Sequence, residues 1–565
     1  MSHLLSILII VPLIAMIVVL ALPKQFANLY RLVAVGATGV QLLICLLVCK
    51  AFLTGDQDSG FQLVERFDWI SFSLGDFGHF SSTYYLGVDG LSVGMVLLSG
   101  IVMFFGAIAS WNITKQSKGY FALYLLLSST VVGCFIALDM LLFYLFFEFM
   151  LLPMFFLIGI WGGVRREYAS IKFFLYTLAG SIFILLVMIG LYISTIDPSA
   201  TAVKIGLIES NTLVTDAVIL QVQELLARGM IKSEYLVHTF DMVAMADVKN
   251  IIPQSLFSPL VTNELMFGLP AREIAFLAVF IGFAIKLPAV PVHTWLPDAH
   301  VEAPTAVSVV LAGVLLKIGG YGLLRIAYSI FPNEANEYAY MVAFLGVVAI
   351  IYGAYNALAM KDLKKLIAYS SVSHMGYVLL GIASATVEGV TGAVYQMFSH
   401  GIISSMLFLV VGVIYDRTHD RTIENYRGLA SKMPMYTAVV TLSFFASLGL
   451  PGFSGFIAEI FVFLGAFSSE SANGLVPNWL VIVALIGLVI GAAYYLWTLQ
   501  RMFFGSFWVK NKEVEASLTD LNTREYIMLI PLAALALIYG LFPNLLLDFI
   551  SPTVNKFVEV LTMNL

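Results

Sequence analysis

The sequence predicts an all-α integral membrane protein with about fourteen transmembrane helices. Three observations carry this. Of 565 residues, 60% are hydrophobic and only 11% charged, a balance at which a water-exposed chain would precipitate. Mean hydropathy is +0.95. Apolar runs of about 20 residues, the length that crosses a bilayer, recur along the whole chain.

The runs fall near 4–22, 29–53, 90–110, 120–138, 140–162, 171–196, 271–295, 304–327, 338–360, 366–384, 388–415, 434–467, 479–507 and 525–548. The first continues past Leu22 without a small-residue cleavage pattern, so it reads as a span and not a removed signal. Two long connections break the rhythm. Asp56 to Asp89 is acidic, and its alternating "FDWISFSL" predicts a short hairpin. Asp197 to Glu264 contains "VILQVQELLARGM", amphipathic at helical spacing.

Lys and Arg set the orientation. One set of alternate connections holds Lys24 and Arg31, Lys115 and Lys118, Arg165, Arg166 and Lys172, Lys361, Lys364 and Lys365, Arg417 to Lys432, and Arg501 to Arg524. The other set is sparse. The basic set is expected on the cytoplasmic side, which puts both termini outside. The even helix count agrees.

Several function classes are not expected. Cys45, Cys49 and Cys134 lie singly in apolar runs and read as small core residues. There is no CxxC pair, no glycine-rich dinucleotide fingerprint and no phosphate-binding loop. No cofactor or metal is expected in this chain, and no nucleic acid. His293 and His300, near Asp298 and Glu302, fit no standard ligand spacing.

The informative residues are charges where lipid should be, since each costs about 2.5–3.5 kcal/mol even on the lenient insertion scale. Glu148, Lys286, Lys317, His374, His400 and Glu459 all lie deep in predicted spans, on separate helices in both halves. Each has a structural alternative. Glu148 and Lys286 could form a static pair. Lys317 could snorkel. His374 and His400 could be packing histidines beside serines, and Glu459 could cap a broken helix. Asp139, at the start of its helix, reads as a cap. A row of titratable groups joined by water, a proton relay, accounts for the six together.

Two spans also carry breaks beside these charges. Pro288 and Pro291 follow Lys286. Pro451, Gly452 and Gly455, in "LGLPGFSGF", precede Glu459. Freed backbone groups are tolerable only inside protein or beside water, and matched broken helices in two halves mark an inverted-repeat transporter. The break after Lys286 is therefore expected to form a hydrated pocket in which the lysine titrates.

The motifs "FFEFMLLPMFFLIGIWGG", "KLPAVPVHTWLPDAHVEAPT", "LLKIGGYGLLR", "DLKKLIAYSSVSHMGY", "FSHGIISSMLFLVVGVIYDR" and "LPGFSGFIAE" resemble the antiporter-like subunits of proton-pumping NADH–quinone oxidoreductase, respiratory complex I. Mrp-type cation/proton antiporter subunits and membrane-bound hydrogenases are the wider relatives. The resemblance covers roughly Gly87 to Phe507. It implies two inverted five-helix repeats, with helices seven and twelve discontinuous. It assigns Glu148 as coupling acid, Lys286 as its partner and Lys317 as central lysine. His374 and His400 become intervening groups, and Glu459 the terminal group. Glutamate at 459, where most relatives carry lysine, is similar to the M-type branch, the counterpart of mitochondrial subunit four. A short tail after the last span argues against the L-type branch with its lateral helix.

The expected organisation is an N-terminal part (1–118), a first repeat (119–330) with outer loop 197–270, a second repeat (331–510) and a C-terminal helix with short tail (511–565). The expected function is proton translocation in the membrane arm of complex I, driven by redox chemistry in other subunits. The alternatives are a Mrp-type antiporter subunit and a hydrogenase subunit. Expected partners are the other membrane-arm subunits, including neighbouring antiporter-like chains, with protons, internal water and lipid. A bacterial inner membrane is the expected location.

Overall fold

The computed structural model describes residues 3–55, 60–73, 79–210 and 214–563. Residues 56–59 and 74–78 of the acidic segment, and 211–213 of the outer loop, lie outside the described residues.

Thirteen helices among the described residues are long and apolar enough to cross a membrane. The first are α1 (Leu4–Ala21), α2 (Ala27–Thr54), α3 (Val93–Ala109) and α4 (Ser117–Ile136). Then α5 (Met140–Phe149) runs on through Met150 into α6 (Leu151–Trp161), and α7 (Arg166–Ser194) follows. The outer loop carries short helices α8 (Pro198–Lys204), α9 (Asp216–Ala227) and α10 (Met242–Ala246). A fourteenth crossing comes in two pieces, α11 (Ala271–Lys286) and α12 (Trp295–Glu302).

The apolar window of the eighth crossing, Thr305–Tyr328, is entirely buried. This crossing alternates α13 (Thr305–Val310), a π segment Leu311–Leu315, α14 (Leu316–Gly322) and a second π segment Leu323–Tyr328. After the short α15 (Pro332–Glu337) come α16 (Ala339–Ala359), α17 (Leu363–Ala383) and the 32-residue α18 (Val387–Thr418), whose apolar window is wholly buried. The run 434–467 divides into α19 (Pro434–Ser447) and α20 (Ser454–Ala472). The last crossings are α21 (Asn478–Thr498), extended by a π turn to Phe503, and α22 (Thr523–Leu541).

The acidic segment forms the predicted hairpin, β1 (Gln62–Ser73) antiparallel to β2 (His79–Val88), from Gln62 opposite Val88 to Ser73 opposite His79. Two smaller ladders follow, β3 (Glu264–Met266) with β4 (Leu269–Pro270), and β5 (Tyr426–Arg427) with β6 (Trp508–Val509). Asp139 is the expected cap. Its carboxylate accepts the Leu142 amide of α5, and also the Thr83 amide, tying the hairpin to the bundle.

One expectation changes. The short tail is instead a 19-residue helix, α23 (Asn544–Thr562), packed on α18 and α15. Its buried residues Leu546, Phe549, Ile550, Val554, Val558 and Leu561 follow helical spacing. Pro552, inside this helix, interrupts the pattern as read from sequence.

Both predicted breaks are present, and their freed backbone finds partners in protein. After α11, the Leu287 amide still reaches Phe283 O and the Ala289 amide Ala284 O, while the Trp295 indole N–H donates to Ile285 O at 2.8 Å. Between α19 and α20, Gly449 and Gly452 take φ of +74° and +98°, conformations that favour glycine.

Candidate functional site

Four of the six predicted side chains form one connected line. Lys317, in α14 between the two π segments, is fully buried. Its Nζ donates to Ala312 O and lies 2.8 Å from His400 Nδ1, reaching across to α18. The His400 and His374 rings are 5.3 Å apart. His374 Nδ1, on α17, is 3.8 Å from Glu459 Oε1 on α20. Lysine, two histidines and a carboxylate from four helices thus lie side by side, each nine-tenths or more buried.

The sequence folds this way locally because small residues let the helices close. A Cβ on Gly319 would stand 2.6 Å from Leu287 N and 2.9 Å from Phe283 O, so α14 touches the end of α11 backbone to backbone. A Cβ on Gly449 would stand 2.1 Å from Glu459 Oε2, so the glycine at the second break makes room for the carboxylate. Glu459 lies inside α20, past its first turn, and therefore does not cap the helix. The start of α20 is pinned to α18 by Ser399 and Ser454, hydroxyl to hydroxyl at 2.8 Å.

Glu148 and Lys286 form the other part. They are not within ion-pair distance in this structure, so the static pair is not present. Lys286 is buried, its Nζ lacks a hydrogen-bond partner among the described residues, and it sits 5.1 Å from the Phe147 ring centroid and 5.6 Å from that of Phe173. Cation–π contact of this kind gives a desolvated ammonium about 2 kcal/mol, well short of a buried salt bridge's attraction. Glu148 is half-buried at the end of α5, its Oε1 shielded and without a hydrogen-bond partner among the described residues. Lys286 and Lys317 are not hydrogen-bonded to each other. Their helices touch one residue beyond Lys286 and two beyond Lys317, at Leu287 and Gly319.

Several neighbours escaped the sequence reading. Gln396 Nε2 is 3.1 Å from His374 Nδ1, the same nitrogen that faces Glu459. Gln396 is one helical turn before His400, a spacing that could have been read. His374 Nε2 is 3.3 Å from Ser447 Oγ, which continues to the Tyr495 hydroxyl at 2.7 Å and on to Ser370. His300, in α12, is fully buried and stacked on Phe408 with ring centroids 4.4 Å apart. Neither of its ring nitrogens has a hydrogen-bond partner among the described residues. Lys364 Nζ donates to Ala303 O at 2.5 Å, just past the end of α12. A cavity of about 240 Å3 opens there, walled by Glu302, Ala303, Lys364 and Arg421. No group of three or more metal-ligating side chains occurs among the described residues.

Such an arrangement can carry protons. Lys317 Nζ and His400 Nδ1 already lie within hydrogen-bond distance, so a proton shift between them moves charge without moving a helix. The step from His374 to Glu459 is longer than a hydrogen bond, and Gln396 competes for the nitrogen that would make it.

Comparison with known proteins agrees with the fold. The family described as "NADH:quinone oxidoreductase/Mrp antiporter, TM" matches residues 137–239 and 236–491. The NADH-quinone oxidoreductase subunit M of Rhodobacter capsulatus is 40% identical over 564 residues, covering 99% of this chain and 97% of that one. A chain of respiratory complex I from Thermus thermophilus superimposes with a TM-score of 0.75 at 28% identity, covering 99% of each. A chain of the Mrp complex from Dietzia shares the fold, with a TM-score of 0.74 at 19% identity over 100% of this chain and 98% of that one.

Proposed function

Because this chain belongs to the antiporter-like membrane subunits of NADH–quinone oxidoreductase, of the subunit M kind, we propose that its buried line of side chains is the path its protons take. The chain is a proton-pumping membrane-arm subunit of an enzyme whose redox chemistry lies in other subunits. The observation that carries the relay is the continuity of Lys317, His400, His374 and Glu459 at 2.8 Å, 5.3 Å between rings, and 3.8 Å.

In this reading Glu148 is the coupling acid. Quinone reduction elsewhere alters the charge at one end of the membrane arm, and the disturbance reaches Glu148. When Glu148 approaches Lys286, the ammonium is held. When the two part, as they stand here, the ammonium has only aromatic faces beside it and passes its proton on. Water beside the tight contact of α11 with α14 joins Lys286 to Lys317 and delivers the charge there. From there it passes through His400 and His374 toward Glu459.

His300 and Lys364, beside the basic-face cavity, offer a way in from that side. The basic face is cytoplasmic, and both termini point outward. The partners are the adjoining membrane-arm subunits, including neighbouring antiporter-like chains, and Glu148 at the half-exposed end of the line faces one of them.

The test is Lys286→Ala in the assembled complex. Coupled proton pumping is expected to fall strongly or vanish while the complex remains assembled. An assembled Lys286→Ala complex that pumps normally would sink the role given to this lysine.

A further inference from the structure

Beyond the relay, the basic face carries a second built feature. A groove of about 690 Å3 opens where α21 ends. The β5–β6 ladder pairs Arg427 with Trp508, so both side chains project from one face of it. Opposite them, the Arg501 guanidinium stacks over Trp497 at 4.5 Å. Arg501 and Trp508 are each about half exposed. One carboxylate, Glu424, stands 3.9 Å from Arg501 and 3.6 Å from Lys361, leaving the groove net positive.

The groove does not stand alone. Trp479, Ile482, Ile486, Val489, Ala493 and Leu496 are exposed along α21, at intervals of three and four residues. They form one apolar stripe down the length of the helix. The next position in that progression is Gln500, which lines the groove. An apolar stripe the length of a crossing thus runs into a pocket with two guanidiniums and two indoles. Indoles of this kind sit at headgroup depth, and arginine forks match phosphate oxygens.

We propose that this groove binds the headgroup of an anionic phospholipid from the leaflet on the basic face, with the acyl chains laid along the α21 stripe. The phosphate sits between Arg427 and Arg501, and the glycerol region lies against Trp497 and Trp508. Charge selects an anionic lipid over a zwitterionic one, because the ammonium of a zwitterionic headgroup would meet the same two arginines. A free phosphate shares the headgroup chemistry but leaves the stripe uncovered.

The experiment uses the intact complex, delipidated in mild detergent and titrated with phosphatidylglycerol while bound lipids are counted by native mass spectrometry. Each basic residue beside an anionic lipid is worth about fivefold in affinity, so R427Q together with R501Q should remove one tightly held phosphatidylglycerol per complex and weaken it about 30-fold. R427K with R501K should restore most of the binding, because the charge returns without the fork. Phosphatidylcholine counts should not change. NADH oxidation with an artificial acceptor reports that the variants remain assembled.

Three results would overturn the proposal. Equal loss of phosphatidylcholine and phosphatidylglycerol would reduce the surface to an unselective apolar belt. Displacement of the lipid by millimolar inorganic phosphate would make it an anion pocket only. An unchanged lipid count, with a photo-crosslinker in place of Trp508 joining a neighbouring subunit, would make it a protein interface.

Discussion

Replacing Gly449 by alanine should damage the relay without substituting any titratable residue. Two effects act at this position. The residue has φ of +74°, so any side chain there costs about 1–2 kcal/mol of backbone strain. The added Cβ would also stand 2.1 Å from Glu459 Oε2, where ordinary contact begins at 3.4 Å, so the carboxylate must retreat by about 1.3 Å. Its other oxygen is 3.8 Å from His374 Nδ1, already beyond hydrogen-bond length. A displacement of about 1 Å at a reacting group can cost about 10²-fold in rate.

Gly452→Ala is the matched control. Gly452 has φ of +98° and nothing within 4 Å of an added Cβ, so it carries the strain without the contact. Proton uptake driven by NADH in inverted vesicles, normalised to assembled complex, should fall at least tenfold, and up to about 10²-fold, in Gly449→Ala, while Gly452→Ala stays within about twofold of the parent. Equal behaviour of the two variants would refute the reasoning, because strain alone would then explain both.

Other consequences can be measured directly. His400→Ala removes one of the two hydrogen-bond partners of the fully buried Lys317 Nζ, so it should destabilise the protein by about 1–3 kcal/mol, read from thermal unfolding of the purified complex, and stop pumping as well. Gln396→Leu frees His374 Nδ1 from its 3.1 Å neighbour and should change the pumping rate while leaving assembly intact; an unaltered rate would remove Gln396 from the path. Arg272 donates to Glu334 at 2.7 Å and to Phe257 O and Ile330 O, all buried, so Arg272→Ala should cost about 3–5 kcal/mol locally, seen as faster proteolysis of the 197–264 loop. Burial raises the Asp241 carboxyl above its ordinary 3.8, with the Arg66 guanidinium and the Val243 and Ala244 amides opposing and Asp197 adding to the rise. A carboxyl raised on folding stabilises most below its unfolded value and loses that contribution as pH climbs through the folded one. The outer loop should therefore resist protease better in acid than at neutral pH, and Asp241→Asn should flatten the difference.

Much of this was legible because a bilayer makes errors expensive. Lys286 and Lys317 are conspicuous in sequence for the same reason that they are informative in the fold: a charge in an apolar run needs an explanation. The breaks were legible from Pro288, Pro291, Pro451 and Gly452, since helix interiors do not tolerate these residues freely. What sequence could not supply was mutual placement. Nothing in the spacing of residues 317, 374, 400 and 459 says that four helices bring them to one line. Nor does it say that Lys286 stands apart from Glu148 over the rings of Phe147 and Phe173. The helix α23 was missed because Pro552 hides its periodicity. Gln396 has no ionisable group to mark it in an apolar run, and His300 lies past the end of the predicted span 271–295, where it reads only as a poor metal ligand.

The central claim is that protons cross through Lys317. It is tested most directly by counting protons translocated per NADH oxidised in vesicles carrying Lys317→Ala, with NADH oxidation by an artificial acceptor confirming assembly. The assembled Lys317→Ala complex is expected to lose most of its proton translocation. An assembled Lys317→Ala complex that moves as many protons per NADH as the parent would contradict it.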